Sequence, residues 1–174
     1  VKYRKGGLMP RSLVNSKGVD SLADSDYTTK YALAELIDNS IQWGAKNIYI
    51  IPIEEWVKKD KRNVRRISQI LIYDDGAGMT KDTLDICLQF GGGTNGRESK
   101  ELGKFGMGLP NASGNQSVRT EVYSWKNSAE TYFNVLDFDD LKQQEDPHVP
   151  DAVLKNIPKP LRELIPNFNP EHGT

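Results

Sequence analysis

Between positions 31 and 43 apolar residues recur at helical spacing. Leu33, Leu36, Ile37 and Ile41 form one stripe, and Gly44 stands where a helix C′ glycine belongs. Downstream the period shortens. Residues 46–53 and 67–73 are rich in β-branched and aromatic side chains and predict strands, the second the more buried. The charged stretch between them, 54–66, is expected to be a loop on a sheet edge. Thr80 is placed to cap a helix running through Leu88. Residues 91–99 are polar and glycine-rich with no core-forming side chains, and 103–113 form a second glycine-rich stretch that feeds a helix start. Two further strands are predicted at 117–126 and 131–137, joined at Asn127 and Ser128. From Leu141 onward the chain is polar and proline-rich, with a short helix expected at 160–164. Upstream, 1–16 reads as a loose basic arm and 19–26 as a short helix. This order of elements predicts an α/β sandwich, a mixed sheet covered on one face by helices.

Bulk properties narrow the function classes. The chain has 174 residues, enough for a core without disulfide staples, and its formal net charge of −1 demands neither a nucleic acid nor a membrane surface. A single cysteine, Cys87, excludes an internal disulfide framework and favours a reducing compartment; its apolar surroundings predict a packed thiol. No apolar run approaches membrane-spanning length and no secretory signal pattern is present, so a cytoplasmic location with no membrane partner is expected.

Candidate chemistry begins on the predicted helix. Glu35, Asp38 and Asn39 stand at i, i+3 and i+4, on one face of an otherwise apolar segment. Charge there costs free energy unless it faces solvent or a cleft, and a carboxylate beside an amide suits activation of a water next to a phosphate. A solvated helix face is the plainer alternative. Asp75 follows the buried strand and precedes Gly-Ala-Gly, where a carboxylate can accept from the amino group of adenine; a simple Asp-Gly turn is the alternative. Gly103, Gly106 and Gly108 free backbone N–H groups to point at phosphates, with a helix start behind them. Neither a Walker A loop nor a dinucleotide-binding fingerprint fits that spacing.

Taken in order, these segments resemble the GHKL superfamily of gyrase-type topoisomerases, heat-shock chaperones, histidine kinases, MutL and MORC proteins. Glu35-Leu36-Ile37-Asp38-Asn39-Ser40 looks like its N box, and Asp75-Gly76-Ala77-Gly78-Met79 like its first glycine box. Gly103-Lys104-Phe105-Gly106-Met107-Gly108-Leu109 looks like the second, and Gly173-Thr174 like the opening of the Gly-Thr motif. The wording of the N box and second glycine box is most similar to MORC and MutL. Histidine kinases usually lack an acid four residues before the Asn, and Pro110 departs from the MORC pattern, where a lysine commonly follows Gly-Leu.

The resemblance implies a Bergerat-fold, two-layer α/β sandwich over 19–174 after an arm at 1–18, cut before a transducer domain that would supply a lysine. It implies ATP and Mg²⁺ as cofactors. Glu35 would be the general base, Asn39 the magnesium ligand, and Asp75 the adenine acceptor, with Gly78 and Met79 lining the base. Gly103, Lys104, Phe105, Gly106, Met107, Gly108 and Leu109 would wrap the phosphates. Residues 91–102 would form a lid, within which Thr94 and Asn95 would touch nucleotide, and Thr174 would join the adenine network. The implied activity is conversion of ATP to ADP and phosphate by a chain that dimerises on ATP, weak without the second domain. Alternatives are a histidine-kinase-like nucleotide-binding domain and a non-hydrolysing ATP-binding regulator. DNA enters as a partner only by analogy.

Overall fold

Two long β-hairpins carry the architecture. The computed structural model describes residues 28–89, 108–114, 116–145 and 147–174. Helix α1 (Thr29–Gln42) is followed by β1 (Ile48–Lys59), β2 (Arg62–Asp74), α2 (Lys81–Cys87) and α3 (Gly108–Gly114). Then come β3 (Arg119–Asn127), β4 (Glu130–Asp137), α4 (Phe138–Gln143), β5 (Val153–Leu154) and α5 (Lys159–Leu164). The fold is an α/β sandwich, as the order of elements predicts. The described ladders, β1 with β2, β3 with β4 and β4 with β5, are all antiparallel. Among the described residues no helix is long and apolar enough to cross a membrane.

Local chemistry explains the boundaries. Gly44 takes φ +81° and donates to the Ile41 carbonyl, closing α1 as its position predicts. Thr80 Oγ1 accepts from Thr83 N at 3.3 Å and caps α2. Helix α4, which hydrophobic periodicity alone does not reveal, starts because Asp137 accepts from Asp139 N and Asp140 N. At the β3–β4 turn, Asn127 Oδ1 accepts from Ala129 N and Glu130 N.

One expectation is overturned. Residues 54–66 are not a loop: β1 and β2 pair from Ile48↔Asp74 out to Lys59↔Arg62, with a register shift between Ile53 and Glu54. The turn is made by Asp60, at φ 54°, and Lys61. Dense charge conceals the period-2 alternation here, because both faces of this ribbon meet water. The expected short helix at 19–26 and the expected arm and lid lie outside the described residues.

The main core forms between α2, the β3–β4 sheet and the chain around α4. Leu84, Leu88, Leu136 and Leu141 are almost wholly buried, and Val122, Phe138, Val149 and Ala152 complete the cluster. Cys87 packs against it, its Sγ 3.4 Å from the Leu84 carbonyl, and burial pushes the thiol up to about 12. This agrees with a structural rather than reactive sulfur.

Gly173 and Thr174 join the two sheets. Asp74 N donates to Thr174 O at 2.9 Å and Thr174 N to Asp74 O at 3.1 Å. Trp125 N and Gly173 N each donate to the other's carbonyl at 3.0 Å. An aromatic stack of Tyr49, Tyr73, Trp125 and Phe168 braces this seam, with ring centroids 5.1–6.2 Å apart. The Tyr73 hydroxyl accepts from Asn169 N, and Trp125 Nε1 donates to Asn169 O. The chain beyond α5 is thereby held against the sheets. Replacing Phe168 by Ala should lower unfolding free energy by about 2 kcal/mol, below the range for a fully buried Phe because this ring is half-buried. Urea denaturation of wild type and variant measures it; an unchanged midpoint would mean that the stack does not brace the seam.

Candidate functional site

Helix α1 contributes the first wall. Glu35 and Asn39 are half-buried one turn apart, whereas Asp38 is exposed. The next residue, Ser40, is buried at 7% and its Oγ lies 3.1 Å from Asp74 Oδ2 and 3.0 Å from the Leu36 carbonyl. The end of α1 thus meets the end of β2 through a hydroxyl–carboxylate contact.

The glycine turn after β2 forms the second wall. Gly76 N donates to Asp74 Oδ1 at 2.9 Å, and a Cβ at Gly76 would stand only 2.7 Å from that oxygen. Ala77 N donates to the Trp43 carbonyl, docking the turn on the C-terminus of α1. Gly78 has φ +65°, and a Cβ there would come within 2.0 Å of the Trp125 carbonyl. No side chain fits, so Gly78 is required by both conformation and contact. Met79 N donates to Ser124 Oγ at 2.7 Å.

Strand β3 and the seam close the third side. Ser124 is fully buried, its Oγ 2.8 Å from Thr174 Oγ1 and 3.1 Å from Gly173 O. His172 Nδ1 sits 2.9 Å from the Gly76 carbonyl, tying the same segment to the glycine turn. Ser40, Asp74, Gly76, Gly78, Met79, Ser124 and Thr174 therefore form one connected polar cluster where the two sheets meet.

Two neighbouring carboxylates take opposite roles. Asp75, the acid expected to meet adenine, is turned to the α1–β1 connection instead. Its Oδ1 accepts from Lys46 N at 2.7 Å and Asn47 N at 2.8 Å, and its Oδ2 from Asn47 Nδ2 at 2.8 Å. Desolvation raises its carboxyl, but the donors of Asn47 and Lys46 together outweigh that and hold it below the usual range. Asp74, by contrast, faces Ser40 and the glycine turn. Burial pushes its carboxyl above the usual range, against the bonds from Gly76 N and Ser40, and the nearby Asp75 charge adds to the rise. A half-buried carboxylate with a raised pKa, set beside a close-packed glycine turn, has the character of a ligand-binding group. Asp74 and Ser124 are the residues that motif reading passes over. Alternation could have found Asp74: it is the last residue of β2, on the face opposite Tyr73.

The other expected residues divide clearly. Gly78, Met79 and Thr174 are in the cluster, and Leu109 packs with Met79 against the core beneath it. Gly108 opens α3. Thr94, Asn95, Gly103, Lys104, Phe105, Gly106 and Met107 lie outside the described residues.

The donor set suits the two implied cofactors differently. A half-buried carboxylate beside a glycine with no room for Cβ fits the planar edge of a purine bearing an amino group. Among the described residues no cluster of three or more His, Cys, Asp or Glu side chains could hold a metal. That is compatible with magnesium held by one protein oxygen, such as that of Asn39, with phosphates and water completing the shell. A recess of about 400 Å³ at the β4–α4 junction offers no comparable chemistry. Its Asp137 pairs with Arg119 at 2.8 Å and caps α4.

The two aspartates should report opposite pH signatures in unfolding experiments. Asp75 has a lowered pKa, so it stabilises the fold above its unfolded value of 3.8, and that contribution fades as pH falls below it. Asp75→Asn should therefore destabilise at pH 7, with the gap closing in acid. Ionised Asp74 opposes folding above its raised pKa, a burden relieved as pH falls towards 3.8. Asp74→Asn should be no less stable than wild type at pH 7. Denaturant midpoints across pH, with the two variants behaving alike, would contradict this assignment.

No curated protein matches the chain. Residues 27–174 match the family described as histidine kinase-, DNA gyrase B-, and HSP90-like ATPase. The chain is an ATP-binding domain of GHKL type and belongs to the histidine kinase-, DNA gyrase B- and HSP90-like ATPase family.

Proposed function

We propose that this chain is a magnesium-dependent ATPase module of the MORC/MutL kind, in which ATP favours association of two copies and hydrolysis releases them. The observation that carries the adenine end is the paired environment of Asp74 and Asp75. One carboxylate is turned into the polar cluster, and the other is consumed by the backbone donors of Lys46 and Asn47 and the Asn47 side-chain amide. In this reading Asp74 replaces Asp75 as acceptor for the adenine amino group. Gly76 and Gly78 let the base approach the backbone, and Met79 and Thr174 border it. Ser40 and Ser124 orient Asp74 and Thr174 without touching the reacting atoms.

Before Ser40 on α1, Glu35 takes a proton from the attacking water and Asn39 offers one oxygen to magnesium. Their spacing of four residues puts both on the same side of the helix. Bound magnesium would neutralise charge on the phosphates. Residues 103–109, with Thr94 and Asn95, are assigned to the phosphates on sequence alone, and a cytoplasmic location is the setting in which a single unpaired Cys87 is stable.

Three variants test this reading. Glu35→Ala should keep ATP binding while turnover falls by about 10²-fold or more, the scale of losing a general base. Unchanged turnover would remove Glu35 from the mechanism. Asp74→Asn should abolish ATP and ADP binding in calorimetry, whereas Asp75→Asn should retain it at pH 7. The reverse result would restore Asp75 as the adenine acceptor. Sedimentation with and without a non-hydrolysable ATP analogue checks association; a monomer in both would exclude the dimerising cycle.

A further inference from the structure

The outer half of the β1–β2 hairpin serves neither the core nor the cleft. Across residues 54–70 every side chain is exposed except Val57 and Val64, which are half-buried. Its last six residues on β1, up to Lys59, extend about 20 Å at roughly 3.3 Å per residue. Over 54–67 six cations, Lys58, Lys59, Lys61, Arg62, Arg65 and Arg66, outnumber three acids in a chain whose formal net charge is −1. The ribbon thus carries a local excess of positive charge.

Register sorts these residues by face. Trp56 lies opposite Arg65 and Lys58 opposite Asn63 on one side; Lys59 lies opposite Arg62, and Glu55 opposite Arg66, on the other. The Trp56 indole is 68% exposed, and the Arg65 guanidinium sits 5.6 Å from its ring centroid. Arg65 also pairs with Glu54 at 2.9 Å, but both side chains are exposed, so the pair is weak and open to exchange for another anion.

Ordinary surface charge accounts for the lysines and arginines taken singly. Guarding an edge against strand pairing accounts for some of them, and Pro52 already interrupts the outer edge of β1. Neither explains a large aromatic side chain presented to water among cations. A basic surface with a flat π-face is the chemistry that holds unpaired nucleic acid, with phosphates meeting the cations and a base stacking on the ring. A lipid surface would ask for more apolar side chains at the tip, and an acidic peptide would leave the indole unused. We propose that the β1–β2 hairpin binds single-stranded nucleic acid passing over its tip, with Trp56 under a base and Lys58 beside it on one face, and Lys59 and Arg62 on phosphates that reach the other face. This does not depend on the ATPase reading, because the ribbon and the cleft share no residue.

The test uses the whole chain and a fluorescein-labelled oligothymidylate, read by anisotropy. Binding should weaken about fifty-fold between roughly 50 and 200 mM salt if about four phosphates are neutralised. Trp56→Ala should weaken it by about tenfold, the lower part of the range for one lost stack. The combined change Lys58→Glu, Lys59→Glu, Arg62→Glu should abolish it, while ADP binding in calorimetry stays unchanged and certifies the fold. Binding that ignores salt, survives the triple change, or survives Trp56→Ala would overturn the proposal. So would tighter binding to a duplex of the same length or to phosphatidylserine vesicles than to the single strand.

Discussion

The backbone pairing of Gly173 and Thr174 with Trp125 and Asp74 is the constraint on which the rest depends. Without it the molecule consists of two separate antiparallel sheets. With it, the carboxylate that ends β2, the buried hydroxyl of Ser124 and the hydroxyl of Thr174 stand side by side. Gly173 is suited to this place for a steric reason: a Cβ there would meet Asp74 O at 2.7 Å and the Trp125 ring at 2.8 Å. The aromatic stack braces the seam, so the polar cluster is a by-product of how the sheets are joined.

The adjacent aspartates show how strand geometry divides chemistry between neighbours. Alternation sends Asp74 to the side of α1, where it is desolvated and meets Ser40. Asp75 leaves the strand and closes the connection into β1 by gathering three donors from Lys46 and Asn47. Burial of one carboxylate opposes folding while it is ionised, and the satisfied donors around the other offset that next to it.

Much of this was legible from the residues. The stripe Leu33, Leu36, Ile37, Ile41 and the glycine after it marked α1, because helical periodicity and C′ geometry are local properties. Thr80 marked α2 for the same reason. The hairpin tip was not legible, since a ribbon solvated on both faces has no apolar alternation to display. The choice between Asp74 and Asp75 was not legible either from motif position, because both flank the same glycines. It depends on where β2 stops, and strand ends are set by tertiary partners, here Asn47 and Thr174.

The seam also has a consequence for how the molecule comes to exist. Each hairpin closes between segments adjacent in sequence, whereas Ser124 and Thr174 are 50 residues apart. Contacts of that separation carry a loop-closure penalty that local pairing does not, and they form after it. The two hairpins can therefore fold early as separate units, and the junction between them is completed last. A nascent or partly folded chain would hold most of its secondary structure before the polar cluster at the seam exists.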